Sequence, residues 1–524
     1  MGRMTQKVNV VLVGGGGREN AIARALRRSP LLGELWVTHP ENPGLASLGR
    51  AVDVPVNRRE IYRLKSFCEK NAIGLVVVGP EEPLAEGFAD ELASESTLVF
   101  GPTAAGAQLE ANKAWCKTLL RGAAVPVAEG RSFTDALQAR ASLESRIKEE
   151  KVLFAALGAP RQFESSEDKR KFILSRLGAA IEAASPKGKP NALEQRARGA
   201  LSIAICAADT FRTPDDRAAY LDELVRTDAT MAKAATTPLA DLPVIKASGL
   251  AKGKGVVVPA TYSEAIGAIN DMLIKKVFGD AGKEILVEER LSGPEASVLA
   301  ITDGHAIVSL PVCQDHKRLL DGDRGPNTGG MGVVCPTTSV DDELLMKIER
   351  EILVPTVDAL KREKIVYRGV LYAGLMLTPN GPKVLEYNCR FGDPETQPLM
   401  ARLKSDLLEM MLATCRGTLA EAVLEWDPSP ACCVVLASEG YPEKPRLGVP
   451  ISGVDDAERM EGVTVDHAGT RREPDGTLVT NGGRVLCVTG TGSTMAVARQ
   501  RAYAACEVIR FAGKQLRGDI GARG

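Results

Sequence analysis

Several features that would classify a chain quickly are missing here. The 524 residues hold only four histidines and 4% aromatic side chains. No histidine has a metal-type partner four residues on, so a helical zinc site has no footing. The eleven cysteines contain no C-x-x-C pair and no regular spacing, and Cys432 and Cys433 are adjacent. They read as free thiols in a reducing compartment, not as a disulfide framework or zinc ribbon. No run reaches about 18 apolar residues, and no apolar leader precedes the first glycine run. The expectation is a cytoplasmic protein without a membrane segment. Charge of one sign is also lacking: 66 Lys and Arg face 67 Asp and Glu, a net −1. No global field favours nucleic acid or an anionic membrane. Glycine is scarce in one place only, with four between residues 141 and 240 out of 51 in the chain.

What is present points to a large multidomain protein, about three domains at ~150 residues each. Residues 8–13 form a β-branched run, followed by Gly14 to Gly17 and a helical pattern over 18–28. Strand, glycine turn and helix open a doubly wound α/β unit. Apolar runs at 35–38, 75–79 and 97–101 predict further strands, and 61–71 and 85–94 the helices between them. The glycine-poor stretch, rich in Ala, Leu, Glu, Lys and Arg, predicts a helical insertion over 141–240. Strand patterning resumes at 243–246, 285–289, 306–311 and 372–377. A last segment has strands at 432–437 and 484–489 and a helix at 494–511.

The most informative stretch is 383–397. Side chains alternate along a strand, which puts Glu386, Asn388 and Arg390 on one face. A carboxylate and an amide oxygen are hard ligands suited to Mg²⁺, which in turn suits nucleotide phosphates. A guanidinium suits a planar or phosphorylated anion. An edge strand turned to water is the plain alternative, but the following turn adds Asp393 and Glu395 beside the same face.

Gly249, Gly253 and Gly255 punctuate a loop between two predicted strands, with Lys252 and Lys254 in it and Lys246 before it. Such glycines let backbone amides approach phosphate oxygens. The loop is not a Walker A motif, because Gly255 leads into a strand and not a helix. A flap over phosphates is the reading, against a plain hairpin. The first turn, Gly15, Gly16, Gly17, Arg18 and Glu19, opens a helix and so favours phosphate. It departs from G-x-G-x-x-G at Glu19, so a sugar phosphate fits better than a dinucleotide. Residues 314–318 and 321–332 form long polar loops of the kind that carry function. His316, within them, reads as structural or substrate-contacting and not as a metal ligand.

Together, residues 11–19, 78–84, 246–257, 314–318, 325–332 and 386–397 resemble the phosphoribosylamine–glycine ligase family of the ATP-grasp superfamily. Residues 479–486 resemble its closing domain. The resemblance covers nearly everything outside 141–240. It implies an α/β and α+β multidomain protein with these parts: an open N-terminal α/β domain (1–108) that binds phosphoribosylamine; an ATP-grasp core with a mobile lid (109–425), the helical insertion lying in the lid region; and a small α+β C-terminal domain (426–524). It implies ATP-dependent joining of glycine to 5-phosphoribosylamine through glycyl phosphate, in purine biosynthesis. Alternatives are another ATP-grasp carboxylate–amine ligase of purine metabolism, or a non-catalytic nucleotide-binding regulator.

The resemblance assigns roles residue by residue. Glu386 and Asn388 match the Mg²⁺ (or Mn²⁺) ligands. Lys113 and Lys246 match the ATP phosphate lysines, and Gly249, Gly253, Lys254 and Gly255 match the closing flap. Glu288, Glu289 and Leu291 lie in the adenine hinge, and Glu295 corresponds to the ribose-hydroxyl acceptor. Gly15 to Glu19, Asn42, Gly44, Pro80 and Glu81, with Asn327, Thr328 and Gly329, match substrate-binding positions. Asp315, Lys317 and Arg390 match the glycine and acyl-phosphate neighbourhood and, with Lys246, the catalytic set. The partners implied are ATP, glycine and phosphoribosylamine, with no nucleic acid and no membrane, on a monomer or weak dimer. Three departures stand out: Asn20 where the family has His, Ser248 where it has Asp, and the insertion, which has no counterpart in the family's common form.

Overall fold

The computed structural model describes residues 7–145, 242–251, 254–260 and 262–522. Most of the expected insertion, and Gly253 of the flap, lie outside the described residues. The chain divides into two compact units, one made of residues 1–127 and 292–524 and the other of 128–291.

The first unit begins with β1 (Val8–Val13), α1 (Gly17–Leu26), β2 (Leu32–Val37), β3 (Arg50–Ala51), β4 (Ile73–Val78) and β5 (Leu98–Phe100). The strands form a parallel sheet in the order β3-β2-β1-β4-β5. Parallel strands are covered on both faces, so they read as continuous apolar runs. The two faces feed different cores here: Val11 and Val13 pack in one, Val10 and Leu12 in the other. The helix expected over 85–94 is shorter, Phe88–Leu92, and a separate helix, Glu81–Ala85, precedes it. Gly87, at φ 85°, separates them, because a left-handed residue cannot continue a right-handed helix.

The second unit holds an antiparallel sheet of β6 (Gly130–Phe133), β7 (Val244–Ala247), β8 (Val256–Val257) and β9 (Ile285–Glu288), in the order β6-β9-β7-β8. The glycine-rich segment lies between β7 and β8, which pair antiparallel with Lys246 opposite Val256.

The first unit resumes with β10 (Glu295–Thr302), β11 (Ile307–Ser309), β12 (Gln314–Asp315), β13 (Arg318–Leu320), β14 (Arg324–Asn327), β15 (Gly332–Cys335), β16 (Gly369–Thr378), β17 (Gly381–Asn388), β18 (Ala431–Ala437), β19 (Val463–His467), β20 (Thr470–Arg472), β21 (Leu478–Thr480) and β22 (Arg484–Thr491). One sheet runs β11-β10-β16-β17. Another runs β12-β15-β18-β22-β19 and so joins strands from both sides of residue 426. Leu371, Ala373 and Leu375 of β16 enter one core, while Val370 and Tyr372 enter the other. No helix among the described residues is long and apolar enough to cross a membrane. The described cysteines are unpaired and buried.

Candidate functional site

The end of β17 is the centre of the site in the first unit. Tyr387 and Cys389 point inward, at 2% and 1% exposure, which leaves Glu386 and Asn388 on the opposite, half-buried face. Arg390 lies just past the strand end and donates to Asn388 Oδ1 at 3.3 Å. Its guanidinium also meets Glu81 at 3.2 Å and Glu110 at 3.1 Å. Burial opposes the charge on Arg390, but the two carboxylates outweigh it and hold the guanidinium above its usual pKa. Burial raises Glu110, whose Oε2 also accepts from the Cys389 amide at 2.8 Å. Glu81 feels burial too, yet Arg390 and Arg18 hold it below the ordinary carboxylate value. Glu110 had no sequence signal beyond its place three residues before Lys113.

Lys317 is the second cation of the site. Its Nζ lies 3.2 Å from Glu295 and 4.0 Å from Glu386. Burial disfavours its charge, but Glu295, Glu386 and Asp315 more than offset that and raise its pKa. Positive charge is therefore already favoured beside Glu386. One carboxylate and one amide oxygen, with phosphates and water completing the shell, is the sparse protein donor set that Mg²⁺ accepts. No cluster of three acidic, His or Cys ligands occurs among the described residues, so a dedicated protein cage is not what this face offers. The residues fit a phosphate-bound divalent cation.

The first glycine turn is held from behind. Glu19 Oε2 accepts from Gly16 N at 2.6 Å, and Glu19 Oε1 pairs with Arg18 Nε at 2.6 Å. Gly14 must be glycine for this: its φ is +117°, and a Cβ there would lie 2.7 Å from the Glu19 carboxyl carbon. Arg18 and Glu19 are buried and make the wall of the turn, while Gly15 and Gly16 line a cleft of about 420 Å³. Asn42 lines it as well, with its side chain tied to the surrounding backbone. It donates to the carbonyls of Gly15, His467 and Ala468 at 2.9, 2.8 and 3.2 Å and caps Gly44 N at 2.9 Å. Asn20 accepts from His467 N at 2.8 Å, so this departure ties α1 to β19.

The other cleft residues include His39, Asp393, Thr470, Asn481 and Arg484. Arg484 pairs with Asp393 at 3.3 Å and donates to the Gly329 and Asp393 carbonyls at 2.5 and 2.6 Å. It thereby fastens the 325–332 loop. Thr328 closes that loop on the Lys317 carbonyl through both its amide and its hydroxyl, each at 2.8 Å. Gly329 N donates to the Tyr441 hydroxyl at 2.9 Å. Asn327 is exposed in β14 and pairs with Arg318. Arg484 had no local signal in the sequence, because its role arises only when β22 is brought to the loop.

Lys113 opens the helix Lys113–Gly122, whose cap Asn112 accepts from Trp115 N at 3.0 Å. Within the second unit, Lys246 forms an ion pair with Glu288 at 2.9 Å, both nearly fully buried. Glu289 Oε1 accepts from Glu129 N at 2.9 Å. Lys254 is exposed, and the unit ends at Leu291. His316 Nδ1 lies 3.2 Å from the Gly332 carbonyl, a structural contact.

Family models for phosphoribosylglycinamide synthetase match three segments: the N domain at 8–110, the ATP-grasp (A) domain at 214–396 and the C domain at 431–523. A phosphoribosylamine–glycine ligase of Rhodopirellula baltica is 42% identical over 516 residues, covering 98% of this chain and 97% of the relative. The chain belongs to the phosphoribosylamine–glycine ligase family. The Escherichia coli ligase is 37% identical over 517 residues, with 98% of each covered. The crystal structure of the Thermotoga maritima ligase superposes with a TM-score of 0.68 at 28% identity, over 98% of this chain and 100% of that one. A biotin carboxylase domain from Hydrogenobacter thermophilus (TM-score 0.59, 13% identity, 97% and 92% covered) shares the fold alone. The ATP-grasp architecture with flanking N- and C-terminal domains thus agrees with the sequence reading.

Proposed function

We propose that the chain joins glycine to 5-phosphoribosylamine, giving glycinamide ribonucleotide, ADP and phosphate in purine biosynthesis. Family membership across 98% of the chain carries this reading. It is preferred over another purine carboxylate–amine ligase, and a pure nucleotide binder has no need of the full cation and carboxylate set.

A carboxylate is a poor electrophile, so it must be activated. A glycine carboxylate oxygen takes the γ-phosphoryl group and ADP leaves. The amine nitrogen of phosphoribosylamine then attacks the acyl carbon, phosphate departs, and the nitrogen loses a proton. Such transfer rests on positioning and charge neutralisation. Lys113 and Lys246 would neutralise ATP phosphates, and Arg390 and Lys317 the acyl phosphate. Glu386 and Asn388 would hold Mg²⁺ or Mn²⁺, which when bound neutralises phosphate charge. Glu288 to Leu291 and Glu295 would take adenosine. The 249–255 hairpin would shut water out, since glycyl phosphate hydrolyses. The cleft at Gly15, Gly16, Asn42 and Arg484 would take the phosphoribosyl group, with Pro80, Glu81 and the 327–329 loop at its margin. Domain limits at 1–108, 109–425 and 426–524, a cytoplasmic location and a monomer or weak dimer belong to the same reading.

The test is substrate omission: ADP and glycinamide ribonucleotide should form only when Mg·ATP, glycine and phosphoribosylamine are all present.

A further inference from the structure

Arg517 is among the largest fully buried side chains of the described residues, and it is charged. It follows the last helix, Met495–Val508, and is 1% exposed. Such a charge is costly unless its donors are met, and here two carboxylates and a carbonyl meet them. Nε and Nη2 fork onto Asp519 at 2.7 Å each. Nη1 donates to Asp323 Oδ1 at 2.8 Å and to the Arg318 carbonyl at 3.1 Å. Burial opposes the charge, but Asp519 and Asp323 outweigh it and raise the guanidinium above its ordinary pKa.

Arg318 and Asp323 belong to the ribbon of β13 and β14, a two-stranded sheet of its own. Its turn meets the same C-terminal segment twice more. Gly518 N donates to Asp321 Oδ1 at 2.8 Å, and Gly322 N donates to Asp519 Oδ2 at 2.9 Å. That segment is anchored in turn on the last helix. Arg499 donates to the Gly518 and Ile520 carbonyls at 2.7 and 3.0 Å, and the Tyr503 hydroxyl donates to the Arg517 carbonyl at 2.7 Å.

A lone two-stranded ribbon is marginal in water. This one has little core: residues 320–327 are exposed, Leu320 at 49%. Asp323 also holds a left-handed φ of +55°, which is uncommon outside glycine. The direction of the ribbon is therefore set from outside. Lys317 stands just before β13 and Thr328 just after β14, closed on each other through the Lys317 carbonyl. Arg517 holds the far end.

We infer that Arg517 is a positioning residue for the ligation: it fixes the 318–327 ribbon at its turn, and the ribbon sets where Lys317 and the 327–329 loop stand against the reacting groups. This rests on the ligase reading above. The C-terminal segment thereby governs turnover through the ribbon and not by touching substrate.

Asp323 is the first residue to change, because removing Arg517 outright would leave the Asp519 carboxylate unpaired. The Asp323 side chain is 62% exposed. Asp323→Gly accepts the left-handed turn and loses the tie to Nη1. Asp323→Asn keeps an acceptor and also suits the turn. Arg517→Lys keeps a charge beside Asp519 but not the fork, and leaves the turn's backbone unaltered. The test is ADP release by the full-length proteins with Mg·ATP, glycine and phosphoribosylamine. Asp323→Gly and Arg517→Lys should lower kcat about 10- to 100-fold, the loss that a misplacement of about 1 Å brings, with the ATP KM within about twofold. Asp323→Asn should recover most of the rate. A native rate in Asp323→Gly, or in a folded Arg517→Lys, overturns the inference, and so does an Asp323→Asn protein as slow as Asp323→Gly. A second readout is independent of activity: trypsin cleavage after Arg324, followed by mass spectrometry, should run about tenfold faster in Asp323→Gly than in the native protein, because the freed ribbon opens more often. Equal cleavage rates overturn the inference. A native protein that releases no ADP refutes the ligase reading, whereas an active one whose rate ignores these substitutions refutes this inference alone.

Discussion

Two adjacent side chains on β19 should oppose each other in the pH dependence of stability. Asp466 is 1% exposed, and its cationic partner among the described residues, Arg24, lies 3.5 Å away. Burial lifts its pKa from 3.8 to about 7, against the pull of Arg24. His467 is 8% exposed, and burial, aided by Arg24 and Arg472, lowers its pKa from 6.5 to about 4. Between about pH 4 and 6.5 the folded Asp466 keeps a proton that the unfolded chain has released, so this group costs stability as pH rises. Over the same window the unfolded His467 holds a proton that the folded one lacks, so this group adds stability as pH rises. Each slope is about 1.4 kcal/mol per pH unit, and they cancel. Asp466→Asn should leave stability near pH 4 little changed and expose a rise of about 3 kcal/mol by pH 6.5. Near pH 8 it should exceed the native protein by up to about 4 kcal/mol. His467→Asn should instead lose stability as pH climbs to 7. Urea unfolding followed by tryptophan fluorescence reads the right unit, because Trp36, Trp115 and Trp426 all lie in the first one. Native and Asp466→Asn curves that run parallel in pH would refute the reasoning.

Glu386→Ala should abolish nearly all turnover while circular dichroism stays native; near-normal rates at saturating Mg²⁺ would remove Glu386 from the metal site. Lys246→Ala should weaken ATP binding by calorimetry, and unchanged affinity would take Lys246 out of the nucleotide site. Arg390→Met strands the buried Glu110 and should cost about 3–5 kcal/mol in urea unfolding. A loss below about 1 kcal/mol would mean that water or another cation already satisfies Glu110.

The parts legible in the sequence were those whose cause is local. A β-branched run, a glycine turn and a helix pattern specify β1, α1 and their sheet, because burial on both faces demands apolar strands. Alternation put Glu386 and Asn388 on one face, and the strands expected on either side of the glycine-rich run are β7 and β8. The less legible parts depend on distant chain segments. Gly87 delays the start of a predicted helix through a backbone angle that composition does not reveal. The amide of Asn42 donates to carbonyls of residues 15, 467 and 468, a partner set that exists only after β19 packs beside the first turn. Arg484 and Glu110 reach the site in the same way, across hundreds of residues.

The most direct test of the central claim is ADP release by the purified protein with Mg·ATP, glycine and phosphoribosylamine generated in situ from ribose 5-phosphate and ammonia, each omitted in turn. ADP and glycinamide ribonucleotide appearing only in the complete mixture is the expected result. ADP formed without glycine, or no ADP in the complete mixture while ATP still binds, would contradict it.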